Sequence, residues 1–279
     1  MAYFDDLFLT NLREAMTQEA KDKNVKVEYA DAQGDIGKQL SQIQNFIAKK
    51  VDVLVVNPVD SSATAQMTKL IKDAGIPAVY VNREPLEKLD PKDPIVYVGS
   101  DEHVSGKLEG EAIAKMLNGK GNVVIMMGEL ATQAAALRTE GVEKVLAQHP
   151  DIKVVQKQTA NWKRTEAMDL MNNWLLAGTK IDAVAANNDE MAIGAIMALQ
   201  QAGKDPSKVI IGGVDATRDA LSEMDKGTLS VTVFQDAKGQ GKAVIDSALK
   251  LAKKEKFESP YVYIPFQLVN KENYKEFNP

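Results

Sequence analysis

Amide and carboxylate side chains stand at the ends of two apolar runs. AVAANNDEMAIGA, residues 183–195, carries Asn187, Asn188 and Asp189, and VIIGGVDATRDA, residues 209–220, carries Asp215. Such runs read as buried strands of a parallel sheet, and their polar tips fall at the carboxyl ends of the strands, where open α/β sheets bind ligands. The tips are rich in hydrogen-bonding groups and poor in nucleophiles. That chemistry grips hydroxyls and does not break bonds. Residues at other expected strand ends, or in the loops after them, extend the set: Asp5, Asp6 and Phe8; Asn57 and Asp60; Asn82, Arg83 and Glu84; Arg138; Trp162; Gln235. A pyranose or inositol ring suits this mixture. Each hydroxyl both donates and accepts, so carboxylates, amides and guanidinium groups can saturate a ring of them, while the C–H faces stack on Phe8 and Trp162. Such a site also rejects analogues that lack one hydroxyl, because the abandoned partner keeps its desolvation cost.

Each residue also has a structural reading. Asp or Asn after a strand commonly caps a helix, and Asp60 and Asp189, each directly before an expected helix, read best as N-caps. Arg83 and Arg138 suit surface salt bridges, and Trp162 suits a core. The argument rests on convergence of the set.

The elements that must hold these residues alternate. Helical spacing over 7–22 is followed by a strand at 25–32, a helix at 35–49, a strand at 51–58, a helix at 61–74 and a strand at 76–82. The rhythm then restarts: helix 103–117, strand 122–129, helix 133–148, strand 152–158, helix 164–177, strand 182–188, helix 189–202 and strand 208–215. A tail adds a strand from 229, a helix over 237–253 and the run YVYIPFQLV at 261–269. Helices between short apolar strands imply parallel sheets with right-handed crossovers. The expected fold is therefore α/β, two similar doubly wound parallel-sheet lobes. One lobe takes 1–101 and 237–263, the other 102–236 and 264–279, and crossings near 99–103, 234–237 and 263–266 form a multi-strand hinge.

Composition excludes several classes. The 279 residues carry a formal net charge of −5, which argues against a nucleic-acid partner. There is no cysteine and there are two histidines, His103 and His149, leaving little for thiolate, metal or triad chemistry. No apolar run is long enough to span a bilayer. GELATQAAA lacks the glycines of a dinucleotide fingerprint, GKGNVV at 119–124 is too short for a phosphate loop, and no GxSxG elbow occurs. No cofactor, no metal and no catalytic residue are expected. His103 reads as a cap or hinge residue.

With these residues in view, the chain resembles the type I periplasmic sugar-binding proteins, the ribose- and galactose-binding group of bacterial ABC transporters. DDLF at 5–8, VVNPVDS at 55–61, VNREP at 81–85, VGSDEHVSGKLEGEAIAK at 98–115, ANW at 160–162, ANNDEMAIGA at 186–195, GGVDATRDAL at 212–221 and TVFQDAKGQGKA at 232–243 carry the resemblance in order and spacing. It implies ring-hydroxyl ligands at Asp6, Asn82, Arg83, Arg138, Asn188, Asp215 and Gln235, and stacking rings at Phe8 and Trp162. It also implies a monomeric periplasmic receptor. Such a protein captures a cyclic polyol or monosaccharide between two closing lobes, delivers it to an ABC permease, meets the membrane only through that permease and catalyses nothing.

The alternative is the sugar-responsive effector domain of a LacI-type transcription repressor, which would bring a basic N-terminal helix-turn-helix; this sequence shows none. An enzyme of the doubly wound class lacks its cofactor fingerprint. Three departures sharpen the expectation. The group begins with a hydrophobic strand ahead of DDLF, whereas this sequence begins Met1-Ala2-Tyr3; either that strand is absent or it lies ahead of Met1, and its loss would leave neighbouring strands without a partner and destabilise that lobe. MLNGKGNVV stands where galactose-binding members carry a calcium loop, so no such metal is expected. Thr132 and Ala134 replace polar sugar ligands, and MGELATQAAALRT with NWKRTEAMDLMNNW is closest to inositol-binding members, which favours myo-inositol.

Overall fold

The computed structural model describes residues 1–277. The chain divides into two compact units. Unit 1 comprises Met1–Ser100, Ala131–Gln133 and Asp236–Ile264; unit 2 comprises Asp101–Leu130, Ala134–Gln235 and the residues from Pro265 on. Each unit is a mainly parallel sheet packed against helices, as expected of a doubly wound α/β lobe.

In unit 1, β1 (Leu54–Val56), β2 (Ala78–Val81), β3 (Ile95–Gly99) and β9 (Tyr261–Tyr263) form an all-parallel sheet in the order β1-β2-β3-β9. The strands β2 and β3 are apolar and buried along their whole length, as strands covered on both faces must be. The sequence reading contained no counterpart of β3. Helix α1 (Leu7–Asp22) buries Phe8, Leu9, Leu12, Met16 and Ala20, the stripe that its helical spacing predicts. Across from it lies α9 (Ala237–Ala252), where a Cβ on Gly241 would come within 2.7 Å of the Ala15 Cβ; glycine there sets how closely the two helices approach. Helices α2 (Ile36–Ala48) and α3 (Thr64–Ala74) complete the unit.

The expected strand at 25–32 does not form. Only its end is paired: the Met1 amino group donates to Ala30 O (3.0 Å), and Ala32 N donates back to Met1 O (3.0 Å). Between 24–30 and β1 lies a cavity of about 630 Å³, walled by Val25, Val27, Tyr29, Phe46, Val53 and Val55 among others. A strand is held by its neighbour's N–H and C=O groups, and along 25–29 no strand supplies them. For the same reason β1 is an edge.

In unit 2, β4 (Lys120–Met127), β5 (Asp151–Thr159), β6 (Ala183–Ala186), β7 (Ile210–Gly212), β8 (Val231–Phe234) and β10 (Gln267–Asn270) form a sheet in the order β10-β8-β7-β6-β4-β5. All pairings are parallel except that of β10 with β8, which is antiparallel and corrects the all-parallel expectation. The run YVYIPFQLV, where a crossing is expected near 263–266, divides into β9 of unit 1 and β10 of unit 2. Pro265 at the break has no N–H to give a ladder. Helices α4 (Glu102–Met116), α5 (Gln133–Leu146), α6 (Arg164–Leu176), α7 (Asp189–Gln201) and α8 (Arg218–Asp225) cover this sheet. Among the described residues, no helix is long and apolar enough to cross a membrane.

Helices α4 and α5 meet glycine to glycine. A Cβ on Gly106 would overlap the carbonyl oxygen of Arg138, and one on Gly141 would lie 2.9 Å from the Gly106 carbonyl carbon. Two helix backbones in such contact bring the first turn of α4 over the first half of α5, and that registers Glu102 on Arg138.

Candidate ligand-binding site

Arg138 is the centre of the unit 2 constellation. Its Nε donates to Glu102 Oε2 (2.6 Å) and its Nη2 to Glu102 Oε1 (3.0 Å), a bidentate fork. Nη1 donates to the carbonyl of Asn187 (2.8 Å) and lies 4.0 Å from Asp215 Oδ1, while Nη2 also reaches Gln235 Oε1 (3.4 Å). The guanidinium carbon sits 5.6 Å from the Trp162 ring centre and 5.8 Å from that of Phe266. Burial alone would lower the pKa of Arg138, but the adjacent Glu102 and Asp215 carboxylates outweigh it and hold the group above its ordinary value. Arg138 is 4% exposed, so the surface salt bridge does not describe it; Arg83, at 7%, is not a surface cation either.

Unit 2 thus brings together Arg138, Trp162, Asp215 and Gln235, and Asn188 joins them indirectly. Asn188 caps α7, its Oδ1 accepting from Met191 N (3.0 Å), and its Nδ2 donates to the carbonyl of Trp162 (3.2 Å). The cap is therefore Asn188 and not Asp189, which lies fully buried and accepts from Thr217 N (2.8 Å) and Thr232 Oγ1 (2.7 Å). Burial pushes the Asp189 pKa up to about 7, against the lowering effect of those bonds. Asp60 does cap, accepting from Ser62 N (2.7 Å). The cap ahead of His103 is Asp101, which accepts from His103 N (3.1 Å).

In unit 1, Asn82 and Arg83 follow β2 at its carboxyl end. Asn82 has φ 64°, and its carbonyl accepts from the hydroxyl of the fully buried Tyr97 (2.9 Å). Arg83 N donates back to Val81 O (2.7 Å), closing a tight turn. That turn carries the Arg83 guanidinium to the carbonyls of Pro58 (3.2 Å) and Val59 (3.0 Å), 5.7 Å from the Tyr3 ring centre. Asp6 caps α1, accepting from Leu9 N (2.8 Å), so one of its oxygens is committed to the helix. Phe8 packs with Leu9 and Leu12 in the unit 1 core. Asn57 is wholly buried and structural: it accepts from Ala2 N (3.1 Å) and donates to Val81 O (3.1 Å).

Two features mark these tips as more than turns. Asn82, Asn161, Trp162, Asp215 and Ala216 all have positive φ without being glycine, the last two at 119° and 53°. Backbone held in such conformations costs energy and concentrates where a fold is shaped for binding. In addition, Trp162 Nε1 and Gln235 Nε2 are buried with no hydrogen-bond partner among the described residues. An unmatched buried donor costs about 1–3 kcal/mol until an acceptor arrives.

Several residues of the site escaped the sequence reading. Glu102 lay inside the segment read as a hinge. Phe266 was read only as part of a crossing. Gly128 matters because a Cβ there would overlap the Trp162 ring, and because its N–H donates to Asn187 Oδ1 (3.0 Å). Glycine after an apolar strand was the available signal. Among the described residues, no group of three His, Asp or Glu is arranged to hold a metal.

Carbonyl-tied and carboxylate-tied guanidinium groups at the tips of α/β sheets are the equipment of a polar-ligand receptor. The chain belongs to the periplasmic binding protein domain family, whose model matches residues 1–256. It is 55% identical over 280 residues to a Rhizobium meliloti protein provisionally named rhizopine-binding, covering 99% of this chain and 90% of that one. It is 31% identical to the ribose import binding protein of Escherichia coli strain K12, covering 91% and 83%. A solved ABC transporter solute binding protein of Bacillus halodurans C-125, with bound myo-inositol, shares 44% identity at TM-score 0.92, covering 99% of this chain and 94% of that one.

Proposed function

We propose that this protein is the solute-binding receptor of an ABC importer and that it captures a cyclic polyol, with myo-inositol as the leading ligand. The observation that carries the reading is the buried Arg138–Asp215–Gln235 group beside the Trp162 ring, with two donors still unmatched. Carboxylate and amide oxygens accept hydrogen bonds from the ring O–H groups, guanidinium and amide N–H groups donate to the ring oxygens, and the indole face covers C–H groups. Arg83 and Asn82 of unit 1 supply a second set of the same chemistry. The myo-inositol-bound relative supports a cyclitol over a pentose, and relatives named for import favour a receptor over a repressor domain. Delivery to a membrane permease, a periplasmic place, a monomeric state and the absence of catalysis belong to the same reading. Nothing at the site offers an activated nucleophile.

A thermal-shift panel of myo-inositol, xylitol, D-ribose and D-glucose tests it, followed by calorimetry. A ligand at 100-fold excess over its Kd adds about 2.7 kcal/mol, enough to move Tm by a few degrees. A shift with myo-inositol supports the assignment, a shift with ribose alone replaces the ligand, and no shift with any neutral polyol sinks the reading.

A further inference from the structure

We infer that Glu102 sets the charge selectivity of the site: by cancelling Arg138 it makes the unit 2 constellation a receptor for neutral rings and closes it to anionic ones. The inference rests on the ligand reading of Arg138 and Asp215 given above. Guanidinium forks ordinarily attract carboxylates and phosphates, and a lone buried arginine at a sheet tip would be an anion site. Here the fork is already occupied. Both Glu102 oxygens are bonded to it at 2.6 and 3.0 Å, and the pair is almost wholly withdrawn from solvent, with each side chain 5% exposed.

Asp215 stands 4.0 Å from the same guanidinium, so two carboxylates face one cation. A third, Glu109, is fully buried and accepts from Ala186 N (3.0 Å), and burial holds its carboxyl well above the usual carboxylate range. The trio of Arg138, Glu102 and Asp215 carries a net negative charge. It offers N–H donors for hydroxyl oxygens with no positive charge left to reward an anion. An anionic ring would meet Asp215 and Glu102 at close range in a poorly solvated place. The Gly106–Gly141 contact that registers Glu102 on Arg138 makes the pairing a property of the helix packing.

The test compares Glu102→Gln with the unaltered protein against myo-inositol and D-glucuronate by calorimetry. Glutamine keeps the size and removes the charge. The unaltered protein is expected to take myo-inositol and refuse glucuronate. In Glu102→Gln the ratio of neutral to anionic affinity is expected to fall about tenfold or more, since paired charges at interfaces govern discrimination of this size. A variant that loses Tm and affinity for both rings equally, with the ratio unchanged, would make Glu102 a structural partner only and overturn the inference.

Glu102→Asp keeps the charge on a shorter stem and provides the second reading should the Gln variant not fold. It is expected to go on refusing glucuronate while binding myo-inositol more weakly; admission of glucuronate by Glu102→Asp overturns the inference as well. If the unaltered protein ignores every neutral polyol, the proposed function fails on its own. Inorganic phosphate then reads the Glu102 assignment separately: a phosphate-dependent rise in Tm in Glu102→Gln and not in the unaltered protein supports it, and equal responses overturn it.

Discussion

The two units repeat one architecture and finish it differently. The unit 2 sheet has six strands, with β6 and β7 enclosed and the tips tied by Glu102, Asn187 and Asp189. The unit 1 sheet has four, and its β1 edge faces a cavity of about 630 Å³ where 25–29 has no strand beside it. The arginines differ in the same sense. Arg83 rests on the carbonyls of Pro58 and Val59, whereas Arg138 is forked onto a carboxylate as buried as itself. A carboxylate as buried as Glu102 does not tolerate the loss of its cation. The parts of unit 2 thus depend on one another, and unit 1 is a looser frame.

The strongest challenge to that contrast is a pair of truncations. Arg138→Ala leaves Glu102 buried and unpaired and is expected to cost unit 2 about 3–5 kcal/mol. Arg83→Ala gives up the bonds to the Pro58 and Val59 carbonyls, about 1–3 kcal/mol. Urea unfolding of both variants checks this, and equal losses would erase the distinction.

A second measurement uses the accident that both tryptophans, Trp162 and Trp174, lie in unit 2. Indole fluorescence therefore follows unit 2 alone, while circular dichroism follows both. Unit 1 is expected to unfold first, so dichroism should begin to fall at a lower urea concentration than fluorescence. Superimposable curves would show one cooperative transition and deny unit 1 its weaker core.

The smallest effect concerns pH. Asp189 has its pKa raised to about 7 by burial, above the ordinary 3.8 that it regains on unfolding. Its folded form therefore holds a proton that the unfolded form releases. The associated stability is complete below about pH 4 and is lost as pH rises through about 7. Asp189→Asn should flatten that part of the stability profile of unit 2; an unaltered slope would assign it to other groups.

Much of this was legible in the residues. Apolar runs ending in NND and VD announced strand tips, and helical stripes such as Phe8, Leu12 and Met16 fixed their elements, because burial of one face leaves a period in the chain. Pairing was less legible. Nothing local in VKVEYADA says that it lacks a neighbour, since strand formation depends on hydrogen bonds from distant segments. The passage of YVYIPFQLV from one sheet to the other was legible as a crossing near 263–266, but the antiparallel pairing of β10 with β8 was not. The cap expected of Asp189 fell to Asn188 because both types cap helices, and only packing against Thr217 and Thr232 separates them.

By itself, then, the sequence determined the class of fold, the doubly wound alternation and the chemical character of the tips, since these follow from local periodicity and residue type. The tertiary structure alone decided which carboxylate neutralises Arg138, which strand edge stays open and which asparagine positions the Trp162 backbone. Those outcomes turn on contacts such as Gly106 against Gly141, where the missing side chains leave no periodic trace and act only once two remote helices are brought within backbone distance.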